Sequence, residues 1–234
     1  GWFKLSANDT ASPEDFFEVP GEVEVKPEKS GFTDFGKITE IPLEYMTLRQ
    51  SAKTCGISIS EGKLHIQGGN SLASKYNQGL LARRHQHHSY DFTAKMEFDP
   101  GDYCHMAGIV CYYNYDNNYY LHMSVDDEGK TYVMLNVSVN KEITQSEKVY
   151  LQENGKPVYL KAEVRECDVT FFVSQDGISY TQVGDVLDMR NLSDERVDGN
   201  GFTGAMVGVS CQDLHGDGVQ ADFDWLDYKV FKPL

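Results

Sequence analysis

Asp222 and Asp224 stand two residues apart in the stretch ADFDWLDY, residues 221–228. On an extended strand that spacing puts both carboxylates on one face, about 6–7 Å apart, with Phe223 and Trp225 on the other. Paired carboxylates at this separation can serve as the acid and nucleophile of a retaining glycosidase. They can equally hold a hard cation, with backbone carbonyls completing the oxygen shell. A hydrogen-bonded surface pair is the plain alternative. Cation binding or a structural role is the preferred reading, and no residue is assigned a catalytic role.

A second stretch, RRHQHH at residues 83–88, is basic and rich in histidine. His85 and His87 fall on one side of an extended chain, where they could chelate a metal or meet a sugar. A third ligand, such as His105 or His122, is then required. Arg84, Gln86 and His87 are read as sugar or interface contacts, against the alternative of a polar strand rim. The loop QDLHGDG, residues 212–218, is polar and punctuated by glycine, with Asp213, Leu214 and His215 at its tip; loops of this kind carry contacts in all-β proteins. Tyr112, Tyr113, Tyr115, Tyr119 and Tyr120 could form a stacking platform for sugar rings. Adjacent tyrosines on a strand place one ring inward and one outward, so half of them are expected in the core.

These residues must be positioned by strands. Tyr90, Phe92, Ala94, Met96 and Phe98 alternate with Asp91, Thr93, Lys95 and Glu97, the period of a strand with one buried face. Asp99-Pro100-Gly101-Asp102 breaks the run, since proline lacks a donor and glycine accepts positive φ. Residues 105–113 and 119–123 follow, and the three segments are expected to form an antiparallel meander. Residues 57–66 read as a hairpin turning at Glu61-Gly62, and 130–138 as a further alternating strand. Residues 158–164 and 169–173 read as a hairpin around Glu166-Cys167-Asp168, and 202–211 and 221–231 as the last two strands. A tight Asp-Gly turn is expected at residues 175–177, and a short helical turn at 188–195. Strands with turn signals throughout, and no βα alternation, predict an all-β, two-sheet antiparallel β-sandwich.

The chain has 234 residues, enough for one large β domain. Its net charge of −15 argues against nucleic acid or an anionic membrane as partner. It has no apolar run long enough to span a bilayer. No secretory leader is read at its start, and the chain is taken as cut from something longer. Five cysteines without metal-type spacing, two of them inside apolar strands, fit a reducing, cytoplasmic setting. Residues 6–30 are rich in Glu, Asp, Pro and Ser and read as an extended linker, and Trp2 is expected to pack on something upstream.

Three separated runs, LLARRHQHHSYDFTAKMEF, MAGIVCYYNYDNNYYL and FTGAMVGVSCQDLHGDGVQADFDWLDY, occur in an order that resembles the C-terminal domain of glycoside hydrolase family 43 enzymes. These are the β-xylosidases and α-L-arabinofuranosidases. IPLEYMTLRQ is similar to the segment that enters that domain, and GWFKLS to the last strand of the domain before it. The resemblance covers roughly residues 31–228. It implies a concanavalin A-like jelly roll over 31–234, with 1–30 as the end of a preceding catalytic domain plus linker. In the family that catalytic domain is a five-bladed β-propeller holding the catalytic carboxylates, which invert configuration by direct attack of water. The Glu-x-Asp-x-(x)-Glu strand of the jelly-roll glucanases is absent here.

By the same resemblance the sandwich packs on the propeller and sends a loop toward its sugar pocket, which places Asp213, Leu214 and His215 at that loop. The family often carries an aromatic near the tip, where this chain has His215. Related jelly rolls hold a structural Ca²⁺ near the first and last strands, at positions matching Asp34 and Asp224. The expected function is that of an ancillary domain, inactive alone, of a β-xylosidase acting on xylo-oligosaccharides; a homo-oligomer is allowed. A free-standing carbohydrate-binding module is the alternative.

Overall fold

The computed structural model describes residues 30–198 and 203–231. The strand and linker readings for residues 1–29, and the contact expected of Trp2, lie outside them.

In chain order the strands are β1 (Gly31–Asp34), β2 (Tyr45–Met46), β3 (Ile57–Ser60), β4 (Lys63–Gln67), β5 (Gly79–Arg84), β6 (Ser89–Phe98), β7 (His105–Asn114) and β8 (Asn117–Val125). They continue as β9 (Thr131–Val139), β10 (Glu142–Gln145), β11 (Val149–Tyr150), β12 (Val158–Arg165), β13 (Asp168–Ser174), β14 (Thr181–Asp188), β15 (Met206–Asp213) and β16 (Gln220–Val230). They form two sheets. The first has the order β14-β13-β12-β6-β16-β4-β3, with β1 also on β16. The second has the order β10-β9-β8-β7-β15-β5-β2, with β11 also on β9. The named strands pair antiparallel throughout, so the expected two-sheet sandwich is what the chain forms.

The core lies between the two inner faces. Phe92, Leu160, Phe171, Phe223 and Tyr228 from the first sheet meet Ile109, Tyr119, Leu121, Val133 and Val209 from the second, all of them buried. Each fully buried large side chain contributes about 2–3 kcal/mol relative to exposure.

The expected three-strand meander does not form. β6 belongs to the first sheet, between β12 and β16, whereas β7 and β8 belong to the second. The link at residues 99–104 carries the chain from one sheet to the other. The sequence pattern already differs on the two sides of that link. β6 alternates strictly, with one face in the core. β7 and β8 are buried on nearly every residue. The segment between β2 and β5 lays Leu72, with Leu48, on the outer face, where a second apolar cluster gathers Leu80, Ala82, Val110, Tyr112, Tyr120 and Met206. The tyrosine platform does not form: Tyr112 and Tyr120 lie under this cover, Tyr113 and Tyr119 face the core, and Tyr115 is half-buried.

A β-bulge in β16 corrects the reading of the last strand. The register against β6 runs Phe223↔Met96 and then Trp225↔Lys95, so Asp224 is the extra residue. Beyond it the inward positions become Leu226 and Tyr228. Trp225 is turned away from the face of Phe223 and lies against the rings of Phe32, at 5.6 Å, and Tyr159, at 6.1 Å. A bulge re-aims a side chain in this way.

The polar edge strands β10, β11 and β14 have no counterpart among the expected strands. β10 is exposed at all four residues, so no buried face imposes a period of two. The helical turn at residues 188–195 is a 3₁₀ turn, Met189–Leu192, whose N-cap Asp188 accepts from Arg190 N–H. Residues 175–180 make a six-residue link between β13 and β14 in place of the expected tight turn, held by Asp176 Oδ1 accepting from the N–H groups of Ile178 and Ser179.

Candidate functional site

The residues singled out above fall into three separate places. Asp34 and Asp224 lie on paired strands, since Asp34 stands opposite Trp225 in the β1/β16 register. Their carboxylates are committed to lysines. Asp34 accepts from Gly36 N–H at 3.0 Å and pairs with Lys37 at 2.9 Å; these contacts, Lys37 first, hold its carboxyl below the ordinary range. Asp224 lies between Lys95, at 2.5 Å, and Lys63, at 3.6 Å. Ammonium groups stand where a cation would have to sit, so this donor set does not fit Ca²⁺. Asp222 pairs with His65 at 2.7 Å. Asp222 and Asp224 therefore belong to ion pairs on the outer face of the first sheet.

The second place is the end of the sandwich where the chain enters. Val230 N–H donates to Ser30 Oγ at 3.0 Å, and Gly31 pairs with Tyr228. Arg84 is exposed there and donates to the carbonyl of Gly204 at 3.0 Å and to that of Thr203. His85 and His87 do not chelate. They lie in the link between β5 and β6, and their Nδ1 atoms meet the hydroxyls of Tyr90 and Tyr228, each at 3.1 Å. Those two tyrosine rings stack at 4.4 Å in the core. Burial, with His88 and His87 nearby, pushes the pKa of His85 down to about 4.

Arg83 opens the basic run but was given no role of its own, and it anchors this end. It is 6% exposed, its guanidinium lies 4.1 Å from the Tyr228 ring centroid, and Nη2 donates to Gln86 Oε1 at 3.2 Å. The signal was in the alternation: Leu81 and Arg83 share one face of β5, and Leu81 is core. An adjoining cavity of 380 Å³ is bordered by His88, Glu166, Arg190, Asp194 and Glu195.

The third place is the opposite end, where the 212–218 loop sits. β15 runs from Met206, beside Arg84, to Asp213, beside His105. β16, eleven residues long, spans about 35 Å between the two ends. Residues 84–87 and 213–215 therefore cannot line one pocket. Asp213 is 7% exposed, and its carboxylate accepts from four backbone N–H groups: Gly216 and Gly218 at 2.7 Å, and His215 and Val219 at 3.2 Å. Burial would raise its pKa, but the backbone donors outweigh burial and hold it down to about 2. Asp213 thus builds the loop and has no oxygen left for a ligand. Leu214 and His215 point outward, with His215 Nδ1 2.7 Å from Asp102 Oδ2.

The Asp213 depression carries a sign. The stabilisation is fully present above the ordinary carboxyl value of 3.8 and is lost as pH falls through about 2. Asp213→Asn is expected to cost about 2 kcal/mol in urea unfolding at pH 7. The gap between the two proteins should close as pH falls toward 2.

Two groups of side chains at this end have metal-like spacing, Asp102/Cys104/His215 and Asp102/His105/Asp217. His105 is buried, and Nε2 lies 3.3 Å from Asp217 and 3.5 Å from Asp213. However, Gly101 N–H donates to Nδ1 at 3.1 Å and takes that lone pair. A neutral ring then carries its proton on Nε2 and offers that atom no lone pair for a metal.

Comparison with known proteins gives this geometry a family. Residues 33–229 match the family model of the β-xylosidase C-terminal concanavalin A-like domain. A putative β-xylosidase of Escherichia coli is 33% identical over 172 residues, covering 72% of this chain and 32% of its own length. The β-xylosidase of Bacillus subtilis is 29% identical over 230 residues, covering 96% of this chain and 42% of its own. A crystal structure of xylan β-1,4-xylosidase from Bacillus halodurans superposes with a TM-score of 0.81 at 31% identity, covering 94% of this chain and 42% of that one. The chain spans about two fifths or less of the length of these relatives. It belongs to the family of C-terminal concanavalin A-like domains of the family 43 β-xylosidases.

Proposed function

We propose that this domain is the ancillary, non-hydrolytic part of a β-xylosidase that acts on xylo-oligosaccharides, and that it packs on a β-propeller catalytic domain through the end where its chain enters. The observation that carries the reading is the position of Ser30 and Gly31 beside Tyr228 and Val230. A domain that precedes residue 30 is tethered there, next to Arg84, Gln86 and His88, which are exposed. These residues, with His87 behind them, are the interface contacts of the proposal. Packing there shapes and closes the neighbouring sugar pocket, which orients substrate and excludes stray water. A cytoplasmic setting belongs to the same proposal, supported by five free thiols.

The 234-residue chain is expected to show no hydrolysis of p-nitrophenyl β-D-xyloside. Turnover that survives purification and disappears in Asp222→Asn or Asp224→Asn would overturn the reading. In a polypeptide joining this chain to a family catalytic domain, Gln86→Ala with His88→Ala is expected to raise KM a few-fold, and Leu214→Ala to leave it unchanged. The reverse ranking would move the docking surface to the 212–218 loop.

A further inference from the structure

The outer face of the second sheet is only half covered. Over β5, β7 and β15 the segment between β2 and β5 seals it. Over β8 and β9 it lies open as a groove of 660 Å³, a size suited to a small organic ligand. Met106, His122 and Met134 form the floor, alternating with core residues on the same strands. Tyr103 and Leu214 stand at one end, 60% and 46% exposed. The Tyr103 ring is set edge-to-face against His215, 6.4 Å away. Along the other side, Gln145 Nε2 donates to Asn136 Oδ1 at 3.1 Å, so this amide pair keeps further donors and acceptors for a ligand.

The chemistry of the walls narrows the occupant. An exposed tyrosine ring and a leucine offer apolar surface for the C–H faces of pyranose rings, and the amides offer partners for hydroxyls. Burial pushes the pKa of His122 down to about 4, so the floor is uncharged at neutral pH. Lys148 is held over the Tyr132 ring at 4.1 Å, and Asp126 and Asp127 stand on the rim of a chain carrying −15. A polyanion is therefore disfavoured. An extended peptide would need a free strand edge, and β8 and β9 are paired on both sides.

We propose that this groove is an oligosaccharide-binding site, separate from the docking end, that takes a neutral chain of pyranose rings along Tyr103, Leu214, Asn136 and Gln145. Leu214 and His215 then serve this groove in place of the catalytic pocket. Only the choice of xylose as probe rests on the β-xylosidase reading.

The test is a titration of the 234-residue chain with xylohexaose, followed by amide NMR shifts, with cellohexaose and hexagalacturonate in parallel. Saturable shifts at these four residues are expected, with affinity about tenfold weaker in the Tyr103→Ala, Leu214→Ala double variant and unchanged in Gln86→Ala. Both replaced side chains are exposed, so the fold should survive. Absence of saturable binding to either neutral sugar, shifts at the Arg84–His88 end, or equal binding of hexagalacturonate would overturn the proposal. Binding of cellohexaose alone would keep the groove as a neutral-sugar site and remove its link to xylan, leaving the docking proposal to its own kinetic test.

Discussion

Gly108→Ala is expected to remove a large part of the stability of the sandwich. A Cβ at residue 108 would lie 2.0 Å from the carbonyl oxygen of Leu121 and 2.9 Å from Cα of His122. Both are backbone atoms of β8, which pairs with β7 through Gly108↔His122. No side chain can rotate to make room, so relief requires the two central strands of the second sheet to separate. That separation would break ladder hydrogen bonds and open the core behind Ile109 and Leu121, both fully buried. The cost should exceed the ordinary range for overpacking and reach about 4 kcal/mol or more, a large part of the stability of a domain. Urea unfolding followed by tryptophan fluorescence measures it, and a variant with an unchanged midpoint would show that β7 and β8 lie farther apart than described. Gly129→Ala is a suitable control for a general loss of glycine, because a Cβ there meets nothing within 4 Å, although its φ of +75° adds modest strain.

Acid should destabilise this protein well above the range in which carboxylates titrate. His122 is 1% exposed, stacks on Tyr120 at 5.1 Å and donates from Nδ1 to the Tyr120 carbonyl at 3.3 Å. Burial pushes its pKa from 6.5 to about 4, only partly offset by that hydrogen bond. A folded-state value below the unfolded one means that the unfolded chain binds the proton first. Stability is therefore complete above about pH 6.5 and declines as pH falls toward 4. The shift corresponds to about 3 kcal/mol. His85, at the other end and less enclosed, adds to the loss with the same sign. Unfolding free energies at pH 7 and pH 4 should differ by at least this amount, and His122→Gln should remove about 3 kcal/mol of the difference. A variant with the same pH dependence as the parent would rule out the buried neutral imidazole as its cause.

The ligand groove and the Asp213 loop beside it respond differently to this chemistry. His122 forms part of the groove floor, so protonation of its ring would disturb the groove before the Asp213 loop loses its charge. Asp213 keeps its four backbone donors until pH approaches 2. Loss of binding and loss of the loop are thereby separated in pH.

Alternation in residues 89–98, the hairpins at 57–66 and 158–173, and the polar turns determined an all-β sandwich without any tertiary information, because a period of two reports local burial directly. The family, too, was legible, since it rests on separated motifs in a fixed order. Pairing was decided only by the tertiary structure. Nothing in residues 99–104 states that β6 and β7 part into different sheets, since a polar turn serves a hairpin and a sheet crossing equally well. The direction of Trp225 depends on one extra residue, Asp224, that is visible only against the register of β6. The burial of the outer face of β7 depends on a segment much earlier in the chain that covers it. The site residues divide in the same way. Residue type showed that Asp213, His87 and Asp224 can bind something, but hydrogen bonding decided that the first builds a loop, the second caps a core tyrosine and the third is held by lysines. The roughly 35 Å between the two ends is a property of strands laid side by side, and no local spacing in the chain encodes it.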